Sequence, residues 1–196
     1  MTQEIKLGFI RTSHKELVDI VKAWIVISLA FAIVMSAGFN NIITNFIVAA
    51  ITVGIGFLLH ELAHKLVAQK YGCAAEFRSF DQMLFFALAL SLLGFVFAAP
   101  GAVMIYGNVT RRENGKISVA GPLTNYVLAG LFYGVGLLVP GSMARLISLY
   151  GFQINIWLGL FNLIPFWNFD GKKILYWNRN IWGIMVLIGV FFMFFF

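Results

Sequence analysis

Two histidines and a glutamate lie near the end of an apolar run, in the stretch GFLLHELAHKLVAQK at 56–70. His60 and His64 are four residues apart, so on a helix both imidazoles share one face, as two ligands of one tetrahedral zinc would. Glu61 lies about 100° round the helix from His60, too offset for a third ligand but within reach of a metal-bound water. The pattern predicts a zinc hydrolase site in which the metal acidifies a water and Glu61 takes its proton.

Chance occurrence is the alternative explanation of such a pentapeptide. Burying three polar side chains in lipid without a purpose is costly, and that cost argues against chance here. A catalytic zinc usually has three protein ligands and keeps a fourth position for water. The third ligand must therefore come from another part of the chain.

Asp170 is the candidate for that third ligand. The chain has three histidines and eight acidic residues, and we expect His14, in the polar N-terminal segment, to be a surface residue. Of the acidic residues only Glu61 and Asp170 fall outside polar segments. Asp170 lies in NLIPFWNFDG at 162–171, where Pro165 should break the helix, and broken backbone at membrane depth is tolerated where it lines a cavity. The alternative is that Asp170 is an interfacial helix N-cap.

The composition predicts a polytopic membrane protein. Of the 196 residues 61% are hydrophobic, 16% aromatic and only 11% charged, whereas a soluble domain carries about a quarter of charged residues. We interpret the net charge of +6 as cytoplasmic-loop and headgroup charge and expect no nucleic-acid partner. Cys73 is the single cysteine, which excludes an internal disulfide and a thiolate metal cage. The N-terminus lacks the pattern of a cleaved signal peptide.

The apolar segments predict an all-α fold with about six hydrophobic segments, at 23–39, 45–69, 83–106, 119–139, 146–167 and 180–196. Between 106 and 118 the sequence YGNVTRRENGKIS contains Asn114-Gly115, a turn signal with β-branched residues on its flanks. It predicts a small membrane-associated β-hairpin with strands near 101–109 and 116–120.

Basic residues cluster in four regions: the N-terminal segment, the stretch after His64, the predicted hairpin and the stretch after 170. The positive-inside rule places all four in the cytoplasm, together with the N-terminus and the metal site. Both ligand helices must then run from outside to inside, because an odd number of crossings between 70 and 119 would separate Asp170 from the histidines by a core of about 30 Å. Segment 83–97 should therefore dip into the membrane and return, turning near Gly94.

Three motifs together resemble the site-2 protease family of intramembrane zinc metalloproteases: HELAH at 60–64, AGPLTN at 120–125 and NLIPFWNFDG at 162–171. The resemblance covers about 45–175. It implies that His60, His64 and Asp170 bind one zinc per chain, that Glu61 is the general base, and that Asn162 is the polar residue near the scissile carbonyl. Lys172 stands where the family often has a second glycine. For Gly121-Pro122 and Asn125, close helix packing is as good an explanation as direct catalysis.

We therefore expect one membrane-embedded metalloprotease domain over 1–196, with its core at about 45–175, in a multi-pass protein of the cell membrane. The resemblance implies a single-span membrane protein as substrate, cleaved within or near its span. An inactive scaffold of the same fold is an alternative, although Glu61 is present. An ion-coupled transporter is another, but internal inverted repeats are absent and the polar groups converge at one depth. No sequence feature indicates the oligomeric state.

Overall fold

The computed structural model describes residues 4–7, 10–36, 40–96 and 100–195. Two short antiparallel sheets accompany the helices: β1 (Glu4–Leu7) with β2 (Ile10–Ser13), and β3 (Ala74–Ser79) with β4 (Gly101–Tyr106). In chain order the helices are α1 (His14–Met35), α2 (Ile42–Ala49), α3 (Ile55–Lys70), α4 (Asp81–Ser91), α5 (Arg111–Leu138), α6 (Ser142–Asn162), α7 (Asp170–Trp177) and α8 (Arg179–Phe195). A π-helical turn, Ala50–Gly54, joins α2 to α3 without a break.

Within the described residues, three helices are long and apolar enough to cross a membrane: His14–Met35, Ile42–Lys70 and Arg111–Leu138. Helix α6, which ends at Asn162 within the predicted stretch 146–167, has 21 residues but carries Gln153, Asn155 and Asn162 among its apolar side chains. The predicted last stretch lies, as far as residue 195, in α8, an apolar helix of 17 residues. The fold is therefore predominantly helical, as predicted, while the number of membrane crossings stays a prediction.

The sequence predicts that segment 83–106 does not cross the membrane as one helix, and in its described residues the structure has no helix of that length. Helix α4 has 11 residues and is about 16 Å long, roughly half of what a crossing needs. The chain turns at Gly94, whose φ of +90° suits a residue without a side chain. It returns as β4, which pairs with β3 antiparallel, Phe77 opposite Val103. The predicted link at 98–99 lies outside the described residues.

The predicted partner of β4 is wrong. Residues 116–120 are not a strand, and Asn114-Gly115 is not a hairpin turn, because both lie inside α5. A capping box starts that helix: the Thr110 side chain accepts from the Glu113 N–H, and the Glu113 carboxylate accepts from the Thr110 N–H. The Thr-x-x-Glu pattern was the sequence signal for this helix start. A glycine fits at 115 because Trp177 leaves no room for a Cβ.

A buried ion pair ties the N-terminal part of the chain to α3, at the residue that directly follows His64. Lys65 and Glu16, 2% and 0% exposed, are joined by a contact of 2.6 Å between Nζ and Oε2. The Thr12 hydroxyl donates to the same carboxylate, and so does the backbone N–H of Phe77, at 2.7 and 2.9 Å. Glu16 thus joins β2, α1, α3 and β3 around one side chain. The sequence interpretation placed Glu16 in a polar segment and missed this role.

Candidate metal centre

Three side chains from α3 and α7 meet at one point. The Nε2 atoms of His60 and His64 are 3.0 Å apart, and Asp170 Oδ2 lies 3.3 Å from the first and 3.0 Å from the second. All three residues are buried. The helical spacing therefore brings the two histidines to one face, as predicted. The carboxylate that joins them is that of Asp170, also as predicted, 106 positions after His64 in the sequence.

Both imidazoles hold their second nitrogen against an oxygen. Nδ1 of His64 lies 2.7 Å from the backbone oxygen of Ile117, and Nδ1 of His60 lies 2.6 Å from Oδ1 of Asn125. A carbonyl oxygen only accepts, so His64 donates from Nδ1, and its Nε2 carries a lone pair when the ring is neutral. Histidines that bind metals are oriented in this way, by a hydrogen bond from the nitrogen that is not a ligand.

Asp170 is the first residue of α7, and Phe169 is the N-cap, so the alternative of Asp170 as an N-cap is wrong. Helix α6 ends at Asn162, and Pro165 lies in the loop that follows, as the sequence predicts. The second carboxylate oxygen of Asp170, Oδ1, lies 3.8 Å from Lys173 Nζ.

The donor set fits a metal ion. Two imidazole lone pairs and one carboxylate oxygen point into the same small space and repel each other unless a cation lies between them. Two nitrogens and one oxygen are a common ligand set of a catalytic zinc that keeps one position open. Gly121 of α5 lies beside them, and a Cβ there would be 2.5 Å from His60 Nε2. The glycine therefore leaves the imidazoles the space that a methyl group would take.

Glu61 lies in the same cavity, whose volume is about 340 Å³, but it is not one of the three converging groups. Its Oε2 accepts a hydrogen bond of 3.0 Å from the backbone N–H of Val103 in β4. Helix α3 thus turns these side chains in different directions. The histidines face the point that they share with Asp170, and Glu61 faces β4. Strand β4 as a partner of this glutamate could not be identified from the sequence.

Asn162 also lines the cavity, together with Trp157, Phe161 and Asn168. Its side-chain amide donates to the backbone oxygen of Leu158, one turn back on the same helix, at 2.9 Å. Trp167, in the loop between α6 and α7, has a φ of +45°, a conformation that is uncommon for residues other than glycine. This tightly turned loop joins Asn162, at the end of α6, to Asp170, at the start of α7, and both residues line the same cavity.

Comparison with known proteins gives relatives that bear the same kind of name. The chain is 42% identical over 184 residues to "Putative zinc metalloprotease MJ0611" of Methanocaldococcus jannaschii. The aligned residues make up 92% of this chain and 94% of the relative. The chain belongs to the site-2 protease family. Two further relatives are "Putative zinc metalloprotease YwhC" of Bacillus subtilis, 31% identical over 64% of this chain and 66% of the relative, and "Zinc metalloprotease MJ0392" of M. jannaschii, 28% identical over 62% of this chain and 31% of the relative.

No family model matches the chain, and no solved structure does. Membership therefore rests on the full-length relative and on the motifs, which the structure brings together at one place. Two further residues lie behind His60. From the sequence, helix packing and direct catalysis were both open explanations of Asn125, and Asn155 was not singled out. Both are fully buried.

Proposed function

We propose that this protein is an intramembrane zinc metalloprotease that hydrolyses a peptide bond within or near the transmembrane segment of a membrane protein. The observation that supports this most is the convergence of His60, His64 and Asp170 inside a helical assembly. The two histidines lie in one candidate membrane helix, Ile42–Lys70, and Gly121 lies in another, Arg111–Leu138. The names of the relatives, zinc metalloproteases, agree with this donor set.

His60, His64 and Asp170 are the proposed ligands of one zinc ion per chain. A zinc bound there supplies a Lewis acid and makes water acidic enough to attack at neutral pH. Glu61 accepts the proton of the attacking water and returns it to the leaving amine. Asn162, on the cavity wall, is the proposed donor to the scissile carbonyl, for which its amide must leave the Leu158 oxygen or use its second hydrogen.

A second, mostly apolar cavity of about 490 Å³ suggests a path for the substrate. It lies between α1 and the π-helical turn on one side and α6 and α8 on the other. It shares Phe31, Val53, Val96 and Trp157 with the cavity of the metal centre. An apolar transmembrane segment fits such a surface, and a segment moving along it reaches the metal centre without crossing the aqueous phase.

Strand β4 is the proposed docking site for the unwound part of the substrate. Val103 of β4 lies opposite Phe77 of β3. The N–H of Phe77 points away from β4 and donates to Glu16. The N–H of Val103 likewise points away from β3 and donates to Glu61. By the alternation of antiparallel strands, Gly101 and Ile105 present their backbone groups on that same outer edge. An extended peptide that adds to this edge comes to lie beside Glu61. This matters because a helix shields its own peptide bonds.

The proposed location is the cell membrane, with several crossings and with the N-terminus and metal centre toward the cytoplasm. The ends of α3, α5 and α7 around the metal centre carry Lys70, Arg111 and Lys173, and the Arg111 guanidinium lies 3.8 Å from the Tyr176 ring centre. Clustering of positive charge at one end of the helices agrees with the positive-inside rule. The bilayer and a single-span membrane protein are the proposed partners, and 1–196 is the proposed single domain.

The test uses the purified chain and a single-span substrate in liposomes. We expect about one zinc per chain, peptide cleavage, and loss of zinc in His60→Ala and Asp170→Ala. Glu61→Gln should keep the zinc and lose cleavage by about 10²–10⁴-fold, since the base is not a ligand. Glu76→Gln, on β3 and away from the cavity, is the matched control. Zinc binding without any Glu61-dependent cleavage would favour the inactive scaffold, and full zinc retention in the ligand variants would reject the site.

A further inference from the structure

A chain of hydrogen bonds runs from His60 through the helix interfaces to a backbone carbonyl on α6. Asn125 of α5 places Oδ1 against His60 Nδ1 at 2.6 Å, and its Nδ2 donates to Asn155 Oδ1 at 3.0 Å. Asn155 of α6 donates in turn from Nδ2 to the Gly151 oxygen at 2.8 Å. Both asparagines are 0% exposed.

Backbone carbonyls fix the donor-to-acceptor direction of these hydrogen bonds. The Gly151 oxygen only accepts, so Asn155 must turn its amide nitrogen toward it and its oxygen toward Asn125. Asn125 Nδ2 also donates to the Gly56 oxygen of α3, at 3.1 Å. If Asn125 turned over, its oxygen would face the Gly56 oxygen without a hydrogen between them, and its nitrogen would face His60.

We infer that Asn155 is a positioning residue of the metal centre, which acts through Asn125 to keep the proton of His60 on Nδ1. His60 then presents an unprotonated Nε2 to the point shared with His64 and Asp170. With the opposite tautomer the Nε2–H would occupy that point, and His60 could not bind a metal. This inference rests on the proposed metal centre, but it concerns the imidazole and not the cleavage reaction.

The two histidines of the centre are secured differently. His64 donates to the backbone oxygen of Ile117, which no substitution of a side chain removes. His60 depends on a side chain, Asn125, whose amide nitrogen is held in place by two acceptors, the Gly56 oxygen and Asn155 Oδ1. A second residue is therefore needed for His60 and not for His64. The close approach of Asn155 to α3 requires a glycine at 56, where a Cβ would lie 3.1 Å from Asn155 Cγ.

The test compares two substitutions of Asn155 of similar size. In Asn155→Leu the acceptor is lost, and we expect zinc to bind about 10–100-fold more weakly, the usual effect of removing a partner of a metal-binding histidine. In Asn155→Asp burial favours the neutral acid, whose carbonyl accepts from Asn125 and whose hydroxyl donates to Gly151. This variant should bind zinc nearly as well as the original chain. Ser148→Ala, a buried polar position on the same helix, is the control.

A second readout follows the tautomer itself. Ring ¹⁵N chemical shifts of metal-free protein, in a His14→Gln background at a pH where the imidazoles are neutral, should show His60 protonated on Nδ1. Asn155→Leu should shift His60 toward the other tautomer and leave His64 unchanged. The inference is overturned if His60 carries its proton on Nε2 in the unsubstituted protein, or if the Leu and Asp variants bind Zn²⁺ equally. Absence of cleavage with normal zinc binding would reject the proposed protease function and leave this inference standing.

Discussion

The backbone N–H of Val103 donates a hydrogen bond to Oε2 of Glu61, with 3.0 Å between nitrogen and oxygen. A strand edge and the proposed general base are therefore in direct contact in this structure. In the docking mode proposed above, a substrate strand that pairs with β4 uses the same N–H. The proposal therefore couples docking of an extended peptide to release of the Glu61 carboxylate through a single donor.

Val103→Pro removes this donor and leaves the pairing of β4 with β3 intact, because the N–H points away from β3. We expect normal zinc content and a cleavage rate lowered by about tenfold or more, the usual scale for a lost positioning interaction. Val103→Leu keeps the N–H and is the control. Cleavage of a single-span substrate in liposomes measures the effect, and an unchanged rate in the proline variant would argue against β4 as the docking edge.

Gly121→Ala should abolish metal binding, since the added Cβ would lie 2.5 Å from His60 Nε2 and 2.6 Å from His64 Cε1. Gly130→Ala, on the same helix with nothing within 4 Å of the added Cβ, should leave zinc content unchanged. Zinc per chain after purification decides between them. Equal metal content in both variants would contradict the close approach of α5 to the imidazoles.

Lys65→Met should lower the free energy of unfolding by about 3–5 kcal/mol, because it leaves the Glu16 carboxylate buried without its cation. Lys70→Met makes the same chemical change at an exposed position of the same helix and should have little effect. Reversible unfolding in detergent, followed by circular dichroism, gives the comparison. Similar stabilities of the two variants would show that the buried pair is not needed.

Asn162→Ala should keep the zinc and lower the cleavage rate by about 10²–10³-fold, the typical cost of one donor to a developing oxyanion. The amide also bonds the Leu158 oxygen, so a purely structural role predicts a loss of stability with an unchanged rate per folded molecule. Rate and melting temperature are therefore measured on the same preparation. A normal rate with normal zinc would reject the catalytic role.

Topology is tested by labelling in intact cells, in a Cys73→Ser background. Asp81→Cys and Arg112→Cys should both react only from the cytoplasmic side, because α4 is too short to cross and β3 and β4 are neighbours. The Asp81 change also removes an ion pair with Lys22 of α1, so cleavage is checked alongside. Labelling of position 112 from outside would show that the segment between β3 and α5 crosses the membrane.

The convergence of the two histidines with Asp170 was predictable because its signals are local or energetically costly. His60 and His64 are one turn apart on one helix, and Asp170 is an acidic residue where burial needs a partner. The short α4 followed from requiring both ligand helices to run in the same direction. These arguments need only spacing, charge and the thickness of a bilayer.

Most of the remaining features depend on contacts between distant residues. The exception is the start of α5, where Asn114-Gly115 is a turn signal by composition but the local Thr110–Glu113 capping box, together with packing of Gly115 on Trp177, favours a helix. The Glu16–Lys65 pair joins residues 49 positions apart, and Asn125–Asn155 joins residues 30 apart. No periodicity reports such pairs in a single sequence.

The π-helical turn before the two histidines has a mechanical consequence for the second, mostly apolar cavity, which lies between α1 and α6. The indole of Trp24 on α1 donates to the Ala50 oxygen of that turn at 3.0 Å, and Asn155 on α6 reaches Gly56 through Asn125. Both walls of this cavity are therefore held by hydrogen bonds to the same continuous helix. We expect widening of the cavity to be smallest at these bonds and greatest at the far end, beside Met35 and Met193. A substrate can then open the cavity from that end while the metal centre keeps its geometry.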